Sequence, residues 1–156
     1  MSIEKVKTYF ANKGMAERVL EFSVSSATVE LAAQALGCEP ARIAKTLSFL
    51  VNDKAILIVT AGDARIDNKK YKTYFSAKAK MLNHDEVESL IGHGVGGVCP
   101  FAVNPDVKVY LDVSLQRFHT VFPACGSSNS AIELTIPEME YHSGFSAWVD
   151  LCKDWE

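Results

Sequence analysis

Lys45-Thr46-Leu47-Ser48-Phe49-Leu50-Val51-Asn52-Asp53-Lys54-Ala55-Ile56-Leu57-Ile58-Val59-Thr60-Ala61 is the stretch that decides the architecture. It contains two runs of strand character, 45–51 and 55–61, separated by Asn52-Asp53, a tight-hairpin signal. In the first run Thr46, Ser48 and Leu50 alternate with Leu47, Phe49 and Val51. No crossover helix fits between the two strands, so a regular βαβ alternation is excluded at this point.

Outward from the hairpin the same logic continues. Ile3, Val6 and Phe10 share one helical face, predicting a helix over 3–13 ended by Gly14. Residues 18–22 read as a short strand. Ser25 and Ser26 offer caps for a helix with the stripe Val29, Ala32 or Ala33, and Leu36, stopped by Gly37. Pro40 begins a turn. Asp67 caps a short basic helix whose inner face is Tyr71, Tyr74 and Phe75, and Asn83 with Glu86 resembles a capping box for a helix over 85–91 closed by Gly92. Further strands are predicted at 107–112, 120–122, 131–135 and 146–151, with a helical turn over 114–118 and a helix start at Pro137. Strands outnumber helices. The expected fold is α/β, with a mixed or antiparallel sheet curled toward a barrel and helices packed around it.

At 156 residues, 48% apolar and 22% charged, the chain reads as one globular domain over 1–156. Its longest apolar run, Ala55 to Val59, is far short of a membrane span. The opening Ile3-Glu4-Lys5-Val6-Lys7 lacks signal-peptide character, so no membrane partner and a cytoplasmic location are expected. Cys38, Cys99, Cys125 and Cys152 form no CxxC pair and read as reduced thiols. Two minority chemistries stay open: His93, Cys99, His119 and Cys125 converging on a metal, or Cys99 or Cys125 acting as a nucleophile beside His93 or His119.

The net charge of −3 gives the whole chain no bulk attraction for nucleic acid. Arg65, Lys69, Lys70, Lys72, Lys78 and Lys80 nevertheless face a single acid, Asp67, within sixteen residues, with Tyr71, Tyr74 and Phe75 interleaved. Such a segment suits a phosphate backbone, or is a solvated helix face over aromatic anchors.

Three further segments could carry chemistry. Gly92-His93-Gly94-Val95-Gly96-Gly97-Val98-Cys99-Pro100 formally contains GxGxxG, but a helix precedes it and a proline follows, so the dinucleotide reading fails. What remains is a loop whose amides could hold an anionic or carbonyl oxygen, or a simple turn. Lys45 opens a largely apolar strand, either as an edge gatekeeper or as a cation at a pocket mouth. Gly126-Ser127-Ser128 either donates to a ligand or makes a turn. No GxSxG elbow occurs, so serine-hydrolase chemistry has no support.

In order and spacing these segments resemble the YbaK / prolyl-tRNA-synthetase-associated editing domains, free-standing deacylases of mischarged aminoacyl-tRNA. The marks are Ile43-Ala44-Lys45-Thr46-Leu47, the GxxxP loop Gly96-Gly97-Val98-Cys99-Pro100-Phe101, Tyr110-Leu111-Asp112, and 126–134 from Gly126-Ser127-Ser128 to Leu134. The resemblance covers roughly residues 1–151. It implies a strongly curved, barrel-like mixed sheet, and trans-editing hydrolysis of the ester joining a small amino acid such as Ala, Cys or Ser to tRNA-Pro or a similar tRNA. It implies no metal or organic cofactor. It implies catalytic roles for Lys45, Gly96 and Gly97, and substrate contacts from Val98, Cys99, Pro100, Phe101, Gly126, Ser127 and Ser128. It implies attack by water, with the substrate's own ribose hydroxyl or thiol as the alternative attacking groups. The partners it implies are a mischarged tRNA and, as a second candidate, a cognate synthetase; separately, Lys69, Lys70 and Lys72 of the basic segment are expected to meet the acceptor stem of the tRNA. Gly126-Ser127-Ser128-Asn129 departs from the forms associated with cysteine- and alanine-specific members, so the amino acid stays open. The alternative class is a non-catalytic module that binds nucleotides or aminoacyl-tRNA ends.

Overall fold

The hairpin forms as its sequence requires. β2 (Ile43–Val51) and β3 (Lys54–Ala61) pair antiparallel, and Asn52 and Asp53 both take positive φ, 50° and 65°, the geometry whose twist matches the flanking strands. β3 is buried on both faces from Ile56 to Ala61, which explains why its apolar run does not alternate. In this computed structural model, which describes residues 2–155, the remaining elements build outward from that pair.

β5 (Lys108–Asp112) lies parallel to β3, and β9 (Ala147–Val149) parallel to β5. On the other side β6 (Thr120–Pro123) lies parallel to β2, and β8 (Leu134–Thr135) antiparallel to β6. The six-stranded order is β8-β6-β2-β3-β5-β9, mixed and strongly curled. Two ribbons flank it: β1 (Val19–Glu21) with β7 (Ser130–Ile132), and β4 (Arg65–Ile66) with β10 (Cys152–Lys153). The expected strand over 131–135 is thus split at exposed Glu133 between two partners, and the expected strand over 146–151 ends at Val149.

Alternation divides the sheet into two faces. Ala44, Leu57, Val59, Ala61, Val109 and Leu111 join the main core with Val6 and Phe10 of α1 (Ser2–Ala11) and Val87 and Ile91 of α4 (His84–Ile91). Phe49, Ile56 and Ile58 face outward under Tyr71 of α3 (Asn68–Phe75). Ala32 and Ala33 of α2 (Val29–Leu36) pack on Ile43 and Phe122.

Caps follow sequence with two exceptions. Asp67 accepts from the Lys69 and Lys70 amides, and Asn83 and Glu86 complete the expected box. α2, however, is capped by Thr28, because Ser25 and Ser26 spend their hydroxyls on the Ser128 carbonyl. α5 (Ile136–Ser143) begins at Thr135, which forms a second capping box with Glu138. Of the expected inner face of α3, Tyr71 is buried and Phe75 half-buried, but Tyr74 is about half exposed.

Candidate functional site

β2 changes neighbours along one edge. Its pairing to β6 covers only Ile43 and Ala44. Further on, the Ser48 carbonyl accepts from Leu82 N, and Leu50 N donates to the Lys80 carbonyl. Between these attachments the edge from Lys45 to Leu47 has no strand beside it. The backbone groups of Thr46 share their direction with those of Ser48 and Leu50, so they face the gap. A cavity of about 530 Å³ opens there. Its walls include Lys45 and Thr46 of β2, Gly96 and Val98 of the glycine loop, Ala124 and Ala131, with α2 and the loop before it alongside.

Lys45 and Thr46 reach this cavity from opposite faces of β2. Lys45 makes no hydrogen bond or ion pair among the described residues, and its burial, the main cause, lowers its pKa from the usual 10.5. Thr46 Oγ1 is fully buried and also lacks a partner. A half-buried ammonium and a dry hydroxyl are both costly unless something polar meets them.

The glycine loop is a close backbone-to-backbone contact. A Cβ placed on Gly97 would lie 2.7 Å from the Gly126 carbonyl carbon and oxygen and 2.8 Å from Ser127 N. Gly96 takes φ +90°, a conformation side chains rarely adopt. The Gly97 N–H donates to the Gly94 carbonyl (3.0 Å), whereas the N–H groups of Gly96 and Val98 have no acceptor among the described residues. Those two amides, unlike that of Gly97, are unspent, and both residues line the cavity.

The Gly126–Ser128 loop serves mainly as a clamp. The Ser127 hydroxyl lies within hydrogen-bond reach of Asn129 Oδ1 (2.9 Å) and Ser130 Oγ (2.8 Å), its single proton serving one of them at a time. The Ser128 carbonyl accepts from Ser26 N (2.6 Å), and Asn129 donates to the Phe22 carbonyl (2.9 Å), tying down the segment before α2. Of the predicted substrate contacts, only Val98 lines the cavity. Cys99, Pro100, Phe101 and Gly126 are buried beneath it, and Ser127 and Ser128 brace it from behind. Sequence reasoning missed Thr46, Ala124, Ser130 and Ala131. Only Thr46 carried a signal, as a polar residue alternating along a largely apolar strand.

Of the two minority chemistries the metal site finds no cluster, while the thiol reading does bring Cys99 Sγ to 3.5 Å from His93 Nε2, but with both side chains fully buried in the core. Among the described residues no three His, Cys, Asp or Glu side chains gather as metal ligands, and His119 is exposed. Cys99 is wholly buried with its thiol pushed up to about 12, and Cys125 is raised as well, both by burial, so neither is a ready thiolate. Asp112 is buried, its carboxylate accepting from Leu151 N (2.8 Å) and Ser114 N (3.0 Å), a structural use.

The basic segment lies outside the cavity but adjoins it. Lys45 senses the charge of Arg65, and both Lys45 and Lys70 act on Cys152 of β10. Lys70 itself is committed, donating to Asp150 (3.1 Å) and the Cys152 carbonyl (2.8 Å). Lys69 and Lys72 are exposed and unpaired among the described residues.

Comparison with known proteins places the whole chain among related sequences and folds. The sequence profile of the aminoacyl-tRNA editing domain matches residues 24–140. A Bacillus subtilis (strain 168) protein, "Uncharacterized protein YwhH", is 55% identical over the whole of both chains. A "Proline--tRNA ligase" of Bacillus cytotoxicus is 25% identical over 139 residues, 87% of this chain but only 24% of the ligase. A solved structure described as "a putative trans-editing enzyme for prolyl tRNA synthetase" superposes with TM-score 0.86 at 29% identity, covering 97% of each chain.

Proposed function

The chain belongs to the aminoacyl-tRNA editing domain family, and from that premise we propose that it hydrolyses the ester of a mischarged aminoacyl-tRNA carrying a small amino acid such as Ala, Cys or Ser, with tRNA-Pro or a similar tRNA as substrate. The observation that carries the reading is the joint lining of one cavity by three residues with unspent polar groups: Lys45, whose ammonium has no partner among the described residues, and Gly96 and Val98, whose amides have none.

An aminoacyl ester is already activated, so a strong protein nucleophile is dispensable. Water adds to the carbonyl carbon, the bond to the ribose oxygen breaks, and that oxygen leaves with a proton, releasing free amino acid and tRNA. Charge develops on the carbonyl oxygen, where the amides of Gly96 and Val98 and the ammonium of Lys45 are suited to stabilise it. The substrate's ribose hydroxyl, or a substrate thiol, can assist without any triad. Small Ala124 and Ala131 suit a short side chain, and a second sieve is needed because one binding pocket separates similar amino acids by only ~1–3 kcal/mol.

The test is amino acid release from a panel of tRNAs charged with Ala, Cys, Ser or Pro. Release of one or more small residues, with the cognate ester spared, is the expected result. Tight binding of charged tRNA with no release from any member would establish a binding module instead.

Thr46 offers a sharper check. Thr46→Val keeps shape and removes a hydroxyl that has no partner in the fold, so stability should be unchanged or slightly higher. If the hydroxyl meets substrate, kcat/KM falls by roughly 10-fold, the worth of about 1.4 kcal/mol. Unchanged turnover would remove Thr46 from the site.

Exposed and unpaired among the described residues, Lys69 and Lys72 are the cations of the basic segment proposed to meet acceptor-stem phosphates. Replacing both with Gln should weaken tRNA binding and reduce the slope of log K against log salt by roughly 0.7–0.9 for each phosphate left without its lysine. Lys70→Gln is a poorer probe, since its ion pair and carbonyl contact are internal. An unaltered slope in the double variant would refute this placement.

A further inference from the structure

We infer that His93 is a positioning residue: by donating its Nε2–H to the Phe101 carbonyl it closes the base of the glycine loop and so holds the Gly96 and Val98 amides where the proposed reaction needs them. The inference rests on the deacylase reading for its kinetic consequence, but the loop geometry can be judged separately.

His93 is fully buried, and its Nε2 lies 2.6 Å from the Phe101 oxygen. A carbonyl cannot donate, so Nε2 carries the proton. Burial, and more weakly the nearby Lys5 charge, push the ring's pKa down, leaving a neutral imidazole with one N–H, spent on this bond. Nδ1 then remains buried with no partner. An apolar side chain would fill the space without that uncompensated lone pair. The histidine therefore brings a liability that its one hydrogen bond must outweigh.

What that bond restrains explains the trade. It bridges eight residues, from the end of α4 to the start of the next segment, around Gly94, Gly96 and Gly97. Such a loop has wide conformational freedom, and inside it only the Gly97 N–H to Gly94 carbonyl contact appears among the described backbone bonds. Cys99 Sγ sits 3.5 Å from the same Nε2 and 3.8 Å from the same carbonyl, packing the floor of the closure. The same loop sets Gly97 against Gly126 and carries Gly96 and Val98 to the cavity wall. His93 itself is not among the residues lining that cavity.

The test compares His93→Leu with His93→Gln, whose side-chain amide can still donate to the Phe101 carbonyl. In His93→Leu, kcat should drop about 100-fold, the scale of a lost oxyanion donor, with KM changing little. His93→Gln should recover most of that loss. Independently of turnover, backbone ¹⁵N order parameters at Gly96 and Val98 should fall from about 0.85 toward 0.6 in His93→Leu and stay high in His93→Gln. A folded His93→Leu with normal kcat and a rigid loop overturns the inference, as does a His93→Gln as impaired as His93→Leu. Should His93→Leu not fold, ¹⁵N spectroscopy of the wild-type ring decides, because an Nδ1–H tautomer would contradict the bond. If the wild type releases no amino acid from any charged tRNA, the deacylase reading fails, while the order-parameter measurements still judge the clamp.

Discussion

Lys45→Met is expected to fold at least as stably as the parent chain while losing about 10²–10³-fold in deacylation. The two halves of this result have one cause. Lys45 is half-buried and unpartnered, and burial is what lowers its pKa. A base whose pKa falls on folding binds its proton more tightly in the unfolded chain. At neutral pH the charge therefore detracts from stability, and that penalty disappears only as the pH rises past the unfolded value of 10.5. Methionine fills the same volume without the charge, so thermal unfolding should show no loss. Hydrolysis should suffer, because an ammonium at the cavity wall is replaced by a group that cannot meet an oxyanion or a phosphate. The lowered pKa adds a signature: after subtraction of the base-catalysed background, Lys45-dependent hydrolysis should decline at a pH below 10.5. A Lys45→Met protein that turns over normally would remove the ammonium from the mechanism.

Gly97→Ala should be the most damaging one-carbon change in the site. The added methyl meets the Gly126 carbonyl at 2.7 Å and Ser127 N at 2.8 Å. Both are backbone atoms, with no flexible side chain to swing aside, so the two loops must separate. Overpacking of this kind costs about 1–3 kcal/mol of stability. Gly96 and Val98 move with the loop, and a displacement of the order of 1 Å in positioning groups costs about 10²-fold in rate. Gly94→Ala is the internal control. Its nearest neighbour is the Glu88 carboxylate at 4.0 Å, so both stability and rate should stay near wild type. Melting curves and deacylation rates of the two variants, measured side by side, check this. A benign Gly97→Ala would mean that loop apposition is irrelevant to catalysis.

Much of the candidate site was legible because its components are locally odd. Lys45 is a cation opening an apolar strand, and 92–100 holds four glycines before a proline. Position within a motif was a poorer guide. Cys99 and Phe101 belong to the same contiguous run as Gly96 and Val98 but are fully buried in the main core, a difference set by how the irregular loop packs rather than by residue type. Gly97 has its amide occupied by Gly94, and Lys70 is drawn into a surface ion pair with Asp150. Neither use leaves any mark on residue type. Ala124, Ser130 and Ala131 are ordinary letters that become cavity walls only through what lies opposite them.

Sequence alone determined the hairpin, the caps at Asp67 and Asn83, the stops at Gly14, Gly37 and Gly92, and the mixed, strand-rich class. Each depends on φ preferences, side-chain periodicity or hydrogen bonds within a few residues. Only the tertiary structure decided that β2 parts from β6 after Ala44 and is met by the 80–82 segment at Ser48, leaving an edge open between them. It also decided that Gly97 and Gly126, far apart in the chain, touch backbone to backbone. Contacts of that range are selected by the packing of the whole sheet, and an open edge is defined by a neighbour that is missing, which no local stretch of residues encodes.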